Sequence, residues 1–437
     1  MLVEFNITNF RSIKEKVTLS MVAAKTKEEE HPENTFEVEG RNLRLLKSAV
    51  IYGANASGKS QIIKAFSFMC NFVISSITGL TPDGYIFGVV PFKLSSTTLN
   101  QPSSFEVTFI QDSESYTYGF SLTSKQIDKE WLYASRKNRQ RLLFERDSSS
   151  NDEYQFGDSW KGEKKPLEER TRLNVLFLSV AHHFNNQDVQ PVIRWFAEKC
   201  KWILDDSPLH NELNHTLELI IGSDRFKLYC EKMLKLADMG IEGIDIRYYP
   251  PGQDPSLLRL SEKDRARVHA KIKDTSVLRL STKHKFEEGS NENESSLFDP
   301  FTEESTGTKK FLSLLGPWYD TLNNGYVLFI DEFERSLHPL LSRFLIQSLH
   351  DYPVKQDFPQ LVFTSHDAEL LNSDLFRRDQ IWFTEKTEDG STKLYSLWDM
   401  EPKPRISENF RKYYLRGRYG AIPFIEDHIE IIDEKKK

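Results

Sequence analysis

Eight consecutive residues, Gly53-Ala54-Asn55-Ala56-Ser57-Gly58-Lys59-Ser60, fit the pattern G-x-x-x-x-G-K-[ST] without deviation. The two glycines let the backbone curl until successive N–H groups face one point, and such a nest suits a phosphate. Lys59 then reaches the β- and γ-phosphates of a nucleotide, and the Ser60 hydroxyl is placed for a magnesium ion. The pattern carries this meaning only between a strand and a helix. Ala49-Val50-Ile51-Tyr52 before it is a short apolar run of buried-strand type. After it, Ile62, Ile63, Phe66, Met69, Cys70 and Val73 recur on one side of a helix, whose positive end faces the same anion. The expected ligands are ATP and Mg2+. A chance match in a Gly-rich turn is the bland alternative, and the flanking elements weigh against it.

A second constellation lies far downstream. The apolar run Tyr326-Val327-Leu328-Phe329-Ile330 leads directly into Asp331-Glu332. A strand ending in two carboxylates is a Walker B arrangement, in which Asp331 holds Mg2+ directly or through water. Glu332 is then placed to orient and polarise the attacking water, which needs a proton acceptor opposite the leaving group. Asp-Glu after a buried strand is commonplace in surface turns, so the upstream P-loop is what gives the pair its weight. Roughly 270 residues separate Lys59 from Asp331, so an insertion is expected to interrupt the nucleotide domain.

Between and beyond these motifs the order of residues resembles that of ABC ATPases. Glu304-Ser305-Thr306-Gly307-Thr308 precedes a helix and then Walker B, where that group carries a Ser-x-Gly signature. A hydroxyl and a glycine at a helix start make another anion site. The resemblance implies that Ser305 and Gly307, with Thr308 less directly, meet the γ-phosphate held by a second subunit. A helix capped by Ser305 without any ligand is the plainer reading of these residues alone. Glu334-Arg335-Ser336-Leu337-His338-Pro339 resembles a D-loop at such a dimer interface. The apolar strand Leu361-Val362-Phe363-Thr364 is followed by Ser365-His366-Asp367, which puts His366 in the switch-histidine position. The plainer alternative is a helix-start histidine. His182 and His183 lack comparable context and read as structural. No glutamine has a specific Q-loop context, although Gln101 and Gln111 lie in the right region.

The resemblance narrows further. Asn9-Phe10-Arg11-Ser12 is similar to the entry of the SMC/RecF/OLD branch, where Arg11 contacts phosphate or adenine; a plain surface arginine is the alternative. The start Met1–Ser12 with Leu19–Ala24, the Glu304–Thr308 motif, Asp379–Phe383 and the late Tyr414–Pro423 segment resemble the RloA/AbiL-type ATPases. The ATPases of the PARIS and Septu systems are similar in architecture. The similarity spans nearly the whole chain and is weakest from about 125 to 240. It implies a homodimer or higher homo-oligomer and an effector partner, such as an RloB-like or other nuclease, encoded nearby. It also implies a role in anti-phage abortive infection, as a sensor or regulatory subunit with a nucleic-acid or phage trigger. A DNA-repair or OLD-like ATPase acting directly on nucleic acid is the competing reading. An OLD nuclease domain needs roughly 100 residues or more, and about 70 follow His366. A transporter subunit is disfavoured by the missing Q-loop and the long interval between Walker motifs.

These motifs require an α/β frame: an ABC-type P-loop head with a mixed or parallel sheet, plus a mostly helical insertion. Val3, Phe5 and Ile7 alternate with polar residues as in a half-buried strand, and so do Val17, Leu19 and Met21. Strands are also expected at Phe105–Ile110, Tyr116–Leu122, Ile244–Tyr248 and Val277–Leu280, and helices at Pro191–Leu204 and Arg225–Met239. Residues 147–170 and Glu287–Ser296 read as polar loops. From Phe301 to Phe383 strands and helices alternate, as in a parallel sheet. The expected domains are an N-terminal lobe at 1–145, a helical insertion at 146–265 and a C-terminal lobe at 266–437. No apolar run approaches the roughly 18 residues that span a bilayer, and no signal peptide is visible. Three scattered cysteines point to a reducing, cytoplasmic setting. A net charge of −7 argues against indiscriminate nucleic-acid binding. Two basic stretches, Arg136–Arg146 and the late cluster around Arg405, Arg411, Lys412, Arg416 and Arg418, fit a partner surface or, more simply, solvated faces.

Overall fold

The computed structural model describes residues 1–26, 30–79, 84–136, 139–206, 209–250, 261–263, 277–285, 296–353 and 358–423. The domain limit at 265/266 and most of the Glu287–Ser296 stretch lie outside them. The chain divides into two compact units. Residues 1–205, 321–335 and 342–437 form the first, and 206–320 with 336–341 the second. The compositional break at 145/146 is not a unit boundary, because residues 146–205 fold into the first unit.

The first unit begins with β1 (Leu2–Thr8), β2 (Val17–Ser20), β3 (Thr35–Glu37), β4 (Arg44–Leu46) and β5 (Ser48–Gly53). Helix α1 (Lys59–Ser75) follows, then β6 (Ser103–Gln111), β7 (Glu114–Leu122), β8 (Ile127–Arg136), β9 (Arg139–Asp147) and β10 (Tyr154–Phe156). Short helices α2 (Lys165–Arg170), α3 (Phe177–His183) and α4 (Gln190–Arg194) lead to β11 (Cys200–Ile203). The second unit contains α5 (Leu209–Gly222), α6 (Asp224–Leu236), β12 (Ile241–Tyr249), β13 (Val277–His284), β14 (Ser296–Phe298) and most of α7 (Thr306–Asn324). Then come β15 (Val327–Ile330), α8 (Pro339–His350), β16 (Gln360–Thr364), β17 (Ile381–Lys386), β18 (Thr392–Ser396) and α9 (Phe410–Leu415).

Two large sheets build the first unit. One is antiparallel, in the order β10-β9-β8-β7-β6-β1-β2. The other runs β11-β15-β16-β5-β17-β18, with its first five strands parallel and β18 antiparallel at the edge. The motif-bearing strands lie inside this sheet and are buried throughout: β15 and β16 bury every residue. The P-loop helix α1 packs on both sheets. Phe66 stacks on Phe329 of β15 with centroids 3.7 Å apart, and meets Phe5 of β1 edge-on at 5.5 Å. Ile62, Ile63, Met69, Cys70 and Val73, the periodic residues of its sequence, are all fully buried.

The expected helix over Pro191–Leu204 is corrected. Helical structure ends at Lys199, and Cys200–Ile203 is a strand parallel to β15, with Cys200 opposite Val327 and Ile203 opposite Ile330. Local periodicity there is helical, and pairing along an open edge of the parallel sheet overrides it. The second unit is mixed: among the described residues α5, α6 and α7 accompany a three-stranded antiparallel sheet β12-β13-β14. Among the described residues no helix is long and apolar enough to cross a membrane.

Candidate nucleotide-binding site

Parallel strands deliver their carboxyl ends to one edge of a sheet, and that edge is where open α/β folds bind ligands. Here β5 ends at Gly53, β16 at Thr364, β15 at Ile330 and β17 at Lys386, in adjacent positions. The chain between β5 and α1 is the P-loop. Its tip, Asn55 and Ala56, is exposed, Ala54 and Ser60 are half-buried, and Ser57, Gly58 and Lys59 are buried. Ala56 and Gly58 have φ of 62° and 111°. A Cβ on Gly58 would overlap the Thr392 hydroxyl, and one on Gly53 would lie 2.5 Å from both Ser57 Oγ and Thr384 O. Glycine is therefore required at both positions.

The cradle is held from behind by hydroxyls. Ser57 Oγ and Thr384 Oγ1 are 2.6 Å apart, and Thr392 Oγ1 donates to Ser57 O at 2.8 Å. Ser12 Oγ lies 2.8 Å from Thr392 Oγ1, so the Asn9–Ser12 turn is tied to the P-loop. Asn9 fixes that turn, donating to Thr98 O and Gln101 O at 2.9 Å each and accepting from Phe92 N. Arg11 is exposed, has φ 53°, and places its guanidinium 5.4 Å from the Phe10 ring centre. Lys59 Nζ donates to Gly53 O at 2.9 Å and Ala54 O at 3.1 Å. Burial lowers its pKa to about 8, against the opposing pull of Asp331, Glu332 and Glu334. The same three carboxylates that act on Lys59 come from the end of β15, so the two distant sequence motifs meet.

On the acidic side, Asp331 is buried and its Oδ1 accepts from Thr364 Oγ1 at 2.7 Å. The same hydroxyl accepts the Glu332 N–H at 2.8 Å. Glu332 sits at φ 49°, a left-handed conformation that a residue with a side chain rarely adopts. Burial raises its pKa, helped by Asp205 and Asp331 and opposed by Arg335 and Lys59. His366 Nε2 lies 3.9 Å from Glu332 Oε1. Burial lowers the His366 pKa and Lys59 pushes the same way. Lys59, Asp331, Glu332 and His366 thus form one electrostatic group beside the half-buried Ser60. Glu334 belongs to the D-loop-like segment by sequence, yet its carboxylate turns inward and accepts the His366 N–H.

The Ser305–Thr308 motif lies in the second unit. Ser305 Oγ accepts the Thr308 N–H at 3.0 Å and lies 2.8 Å from Thr308 Oγ1, which caps α7. Ser305 is exposed, Gly307 half-buried and Thr308 buried. A Cβ on Gly307 would lie 3.0 Å from Ser336 O. The preceding Glu304 is buried and accepts from Thr282 Oγ1, with His284 Nε2 at 2.7 Å, which anchors the turn to β13.

The late aromatic cluster is largely interior. Tyr419 is buried, and the Tyr414 ring packs 5.6 Å from Phe383 and 5.8 Å from Tyr52. Arg418 pairs with Glu408 and Arg411 with Glu369. Arg146, at the end of the other basic stretch, is buried against Glu153 and Val175 O. The supporting roles of the Ser12, Thr364, Thr384 and Thr392 hydroxyls are not legible in the sequence. Their one shared signal is a hydroxyl at or next to the end of a strand or turn that faces the P-loop.

Comparison with known proteins places this geometry. A family model described as "AAA domain, putative AbiEii toxin, Type IV TA system" matches residues 48–372. No curated protein matches the chain. Among solved structures, a Smc head bound to the C-winged helix domain of ScpA is 11% identical, with a TM-score of 0.45, over 90% of this chain and 97% of that one. The SMC head domain from Thermotoga maritima is 12% identical, with a TM-score of 0.40, over 90% and 98%. The family match begins at the first residue of β5 and ends beyond His366, so the chain belongs to this AAA-domain family and is an α/β P-loop ATPase of the AAA type.

Proposed function

We propose that the chain hydrolyses Mg2+-bound ATP at a site completed by a second copy of itself, and that this cycle governs a separate effector in a cytoplasmic anti-phage system. The observation that carries the catalytic reading is the convergence of Lys59, Asp331, Glu332 and His366 at the carboxyl edge of one sheet. Lys59 exchanges its two loop carbonyls for β- and γ-phosphate oxygens, and the N–H groups of Gly53–Ser60 surround the phosphates. Glu332 accepts a proton from the attacking water, and the raised pKa caused by burial makes it a stronger proton acceptor than an exposed carboxylate. His366 donates toward the γ-phosphate. Arg11 lies on the turn tied to the P-loop and serves phosphate or adenine.

Ser60 and Asp331 supply two protein oxygens, which fits a magnesium ion that takes its remaining ligands from phosphates and water. A magnesium ion held by Ser60 and Asp331 would supply charge neutralisation for the transferred phosphoryl group. Ser305, Gly307 and Thr308 of a second copy then face the γ-phosphate, as the exposed Ser305 hydroxyl and the α7 start allow.

The defence role rests on the resemblance to RloA/AbiL-type ATPases and on the family's description as "putative AbiEii toxin, Type IV TA system". The dimer is tested by light scattering of the Glu332→Gln variant with ATP and Mg2+. A dimer that reverts to monomer on Ser305→Arg substitution is expected; a monomer under all conditions refutes the composite site. For the effector, intact-mass analysis of what copurifies with the tagged chain from its host should show a nuclease-like neighbour-gene product. Plasmid or tRNA cleavage by the isolated chain would instead favour a direct nucleic-acid enzyme.

A further inference from the structure

Main-chain and core contacts hold the switch-histidine loop. Ser365 N donates to Ile51 O at 3.0 Å, Asp367 N to Ser365 Oγ at 3.0 Å, and Tyr52 Oη to Asp367 O at 3.2 Å. The main chain of His366 is held by Glu334: its N–H donates to Glu334 Oε1 at 2.5 Å. Glu334 stands two residues after the proposed base, on the turn that also fixes Glu332. It therefore links the Walker B turn to the histidine loop through a single carboxylate.

That carboxylate is unusual for a structural cap. Burial raises its pKa, against the His366 N–H that favours the anion. Among the described residues its Oε2 is buried without a partner, and so is Asp367 Oδ2 in the same loop. Buried polar atoms are nearly always paired, and the exceptions concentrate where geometry serves function.

We propose that Glu334 is a positioning residue for hydrolysis: its Oε1 fixes the main chain of His366 so that the imidazole stays beside Glu332, the two ring and carboxylate atoms now being 3.9 Å apart. It does not touch nucleotide. This assignment rests on the ATPase roles given to Glu332 and His366.

The test compares ATP turnover and the affinity for a fluorescent ATP analogue in the full chain and in Glu334→Ala, Glu334→Asp, Glu334→Gln and Glu332→Gln variants. Glu334→Ala and Glu334→Asp remove or shorten the acceptor, and kcat should fall about 10- to 100-fold, the usual cost of misplacing a group by an ångström. Nucleotide affinity should stay within about threefold, since binding is uniform when only the transition state loses support. Glu334→Gln keeps an acceptor oxygen and should restore kcat to within about threefold of wild type. Wild-type turnover in Glu334→Ala overturns the proposal. If that variant does not fold, equal turnover in the Asp and Gln variants overturns it instead. Hydrolysis that survives in Glu332→Gln refutes the underlying assignment of the base and leaves the Glu334 result separately readable.

Discussion

Replacing Thr364 by valine isolates one hydroxyl on which both Walker B carboxylates depend. Thr364 is fully buried at the end of β16, and valine matches its shape. The change removes the donor to Asp331 Oδ1 (2.7 Å) and the acceptor for Glu332 N–H (2.8 Å). A hydrogen bond to a charged group contributes about 1.5–3 kcal/mol, and a neutral one about 0.5–1.5. Glu332 is half-buried, so water can reach its freed N–H and the lower figure applies there. The expected loss of stability is therefore about 2–3.5 kcal/mol. The catalytic effect should be larger. Glu332 sits at φ 49°, which costs about 1–2 kcal/mol for a residue with a side chain, and the Thr364 bond helps hold it there. Without that bond the carboxylate relaxes away from the water it activates, and turnover should fall about 100-fold. Thr364→Ser keeps the hydroxyl and should stay near wild type. Thermal melts and steady-state ATPase assays read both effects. Turnover in Thr364→Val close to that of Thr364→Ser would refute the reasoning, whatever the melts show.

Gly58→Ala puts a Cβ onto the Thr392 hydroxyl at a φ of 111°, so the loop must move. Binding of a fluorescent ATP analogue should be lost while far-UV circular dichroism stays native, and unchanged affinity would contradict the cradle geometry. His350 predicts an acid sensitivity. Its ring is buried 2.8 Å from Ser48 Oγ, and burial holds its pKa near 3 against 6.5 in the unfolded chain. The unfolded state thus binds more protons between those values, so stability falls as pH drops from 6.5 toward 3, by up to about 1.4 kcal/mol per pH unit. His350→Gln should flatten that slope in urea melts taken across the window, and an unchanged slope would exclude His350 as its source.

The parts of the site that could be read from sequence are those whose chemistry is local. The P-loop announces itself because a phosphate nest needs consecutive residues, with Gly53 and Gly58 where the backbone leaves the ordinary regions. Asp331 and Glu332 follow an apolar strand because burial and ligand edge coincide in a parallel sheet. What could not be read depends on partners distant in sequence. Thr384 and Thr392 support Ser57 across more than 300 residues, and a single threonine at a strand end carries no local mark. Strand β11 was hidden for the same reason: Cys200–Ile203 has helical surroundings and becomes a strand only because β15 offers an edge. The inward turn of Glu334 was hidden too, since charge and position predict an exposed loop residue.

One topological fact explains how motifs so far apart in sequence act together. Strand β16 lies between β5 and β15, and its register sets Thr364 opposite Ile51 and Phe363 opposite Ile330. The residue after the shared strand end is therefore held on both sides at once. Thr364 bonds the Walker B turn, Ser365 N bonds Ile51 O beside the P-loop strand, and His366 follows where both converge. A long insertion between β5 and β15 does not disturb this, because neither strand pairs with the other. Their relative position is fixed through β16, whose residues arrive after both. The histidine loop is thus bonded to both motifs. A change at the phosphate end and a change at the carboxylate end would each reach His366 through a single shared strand.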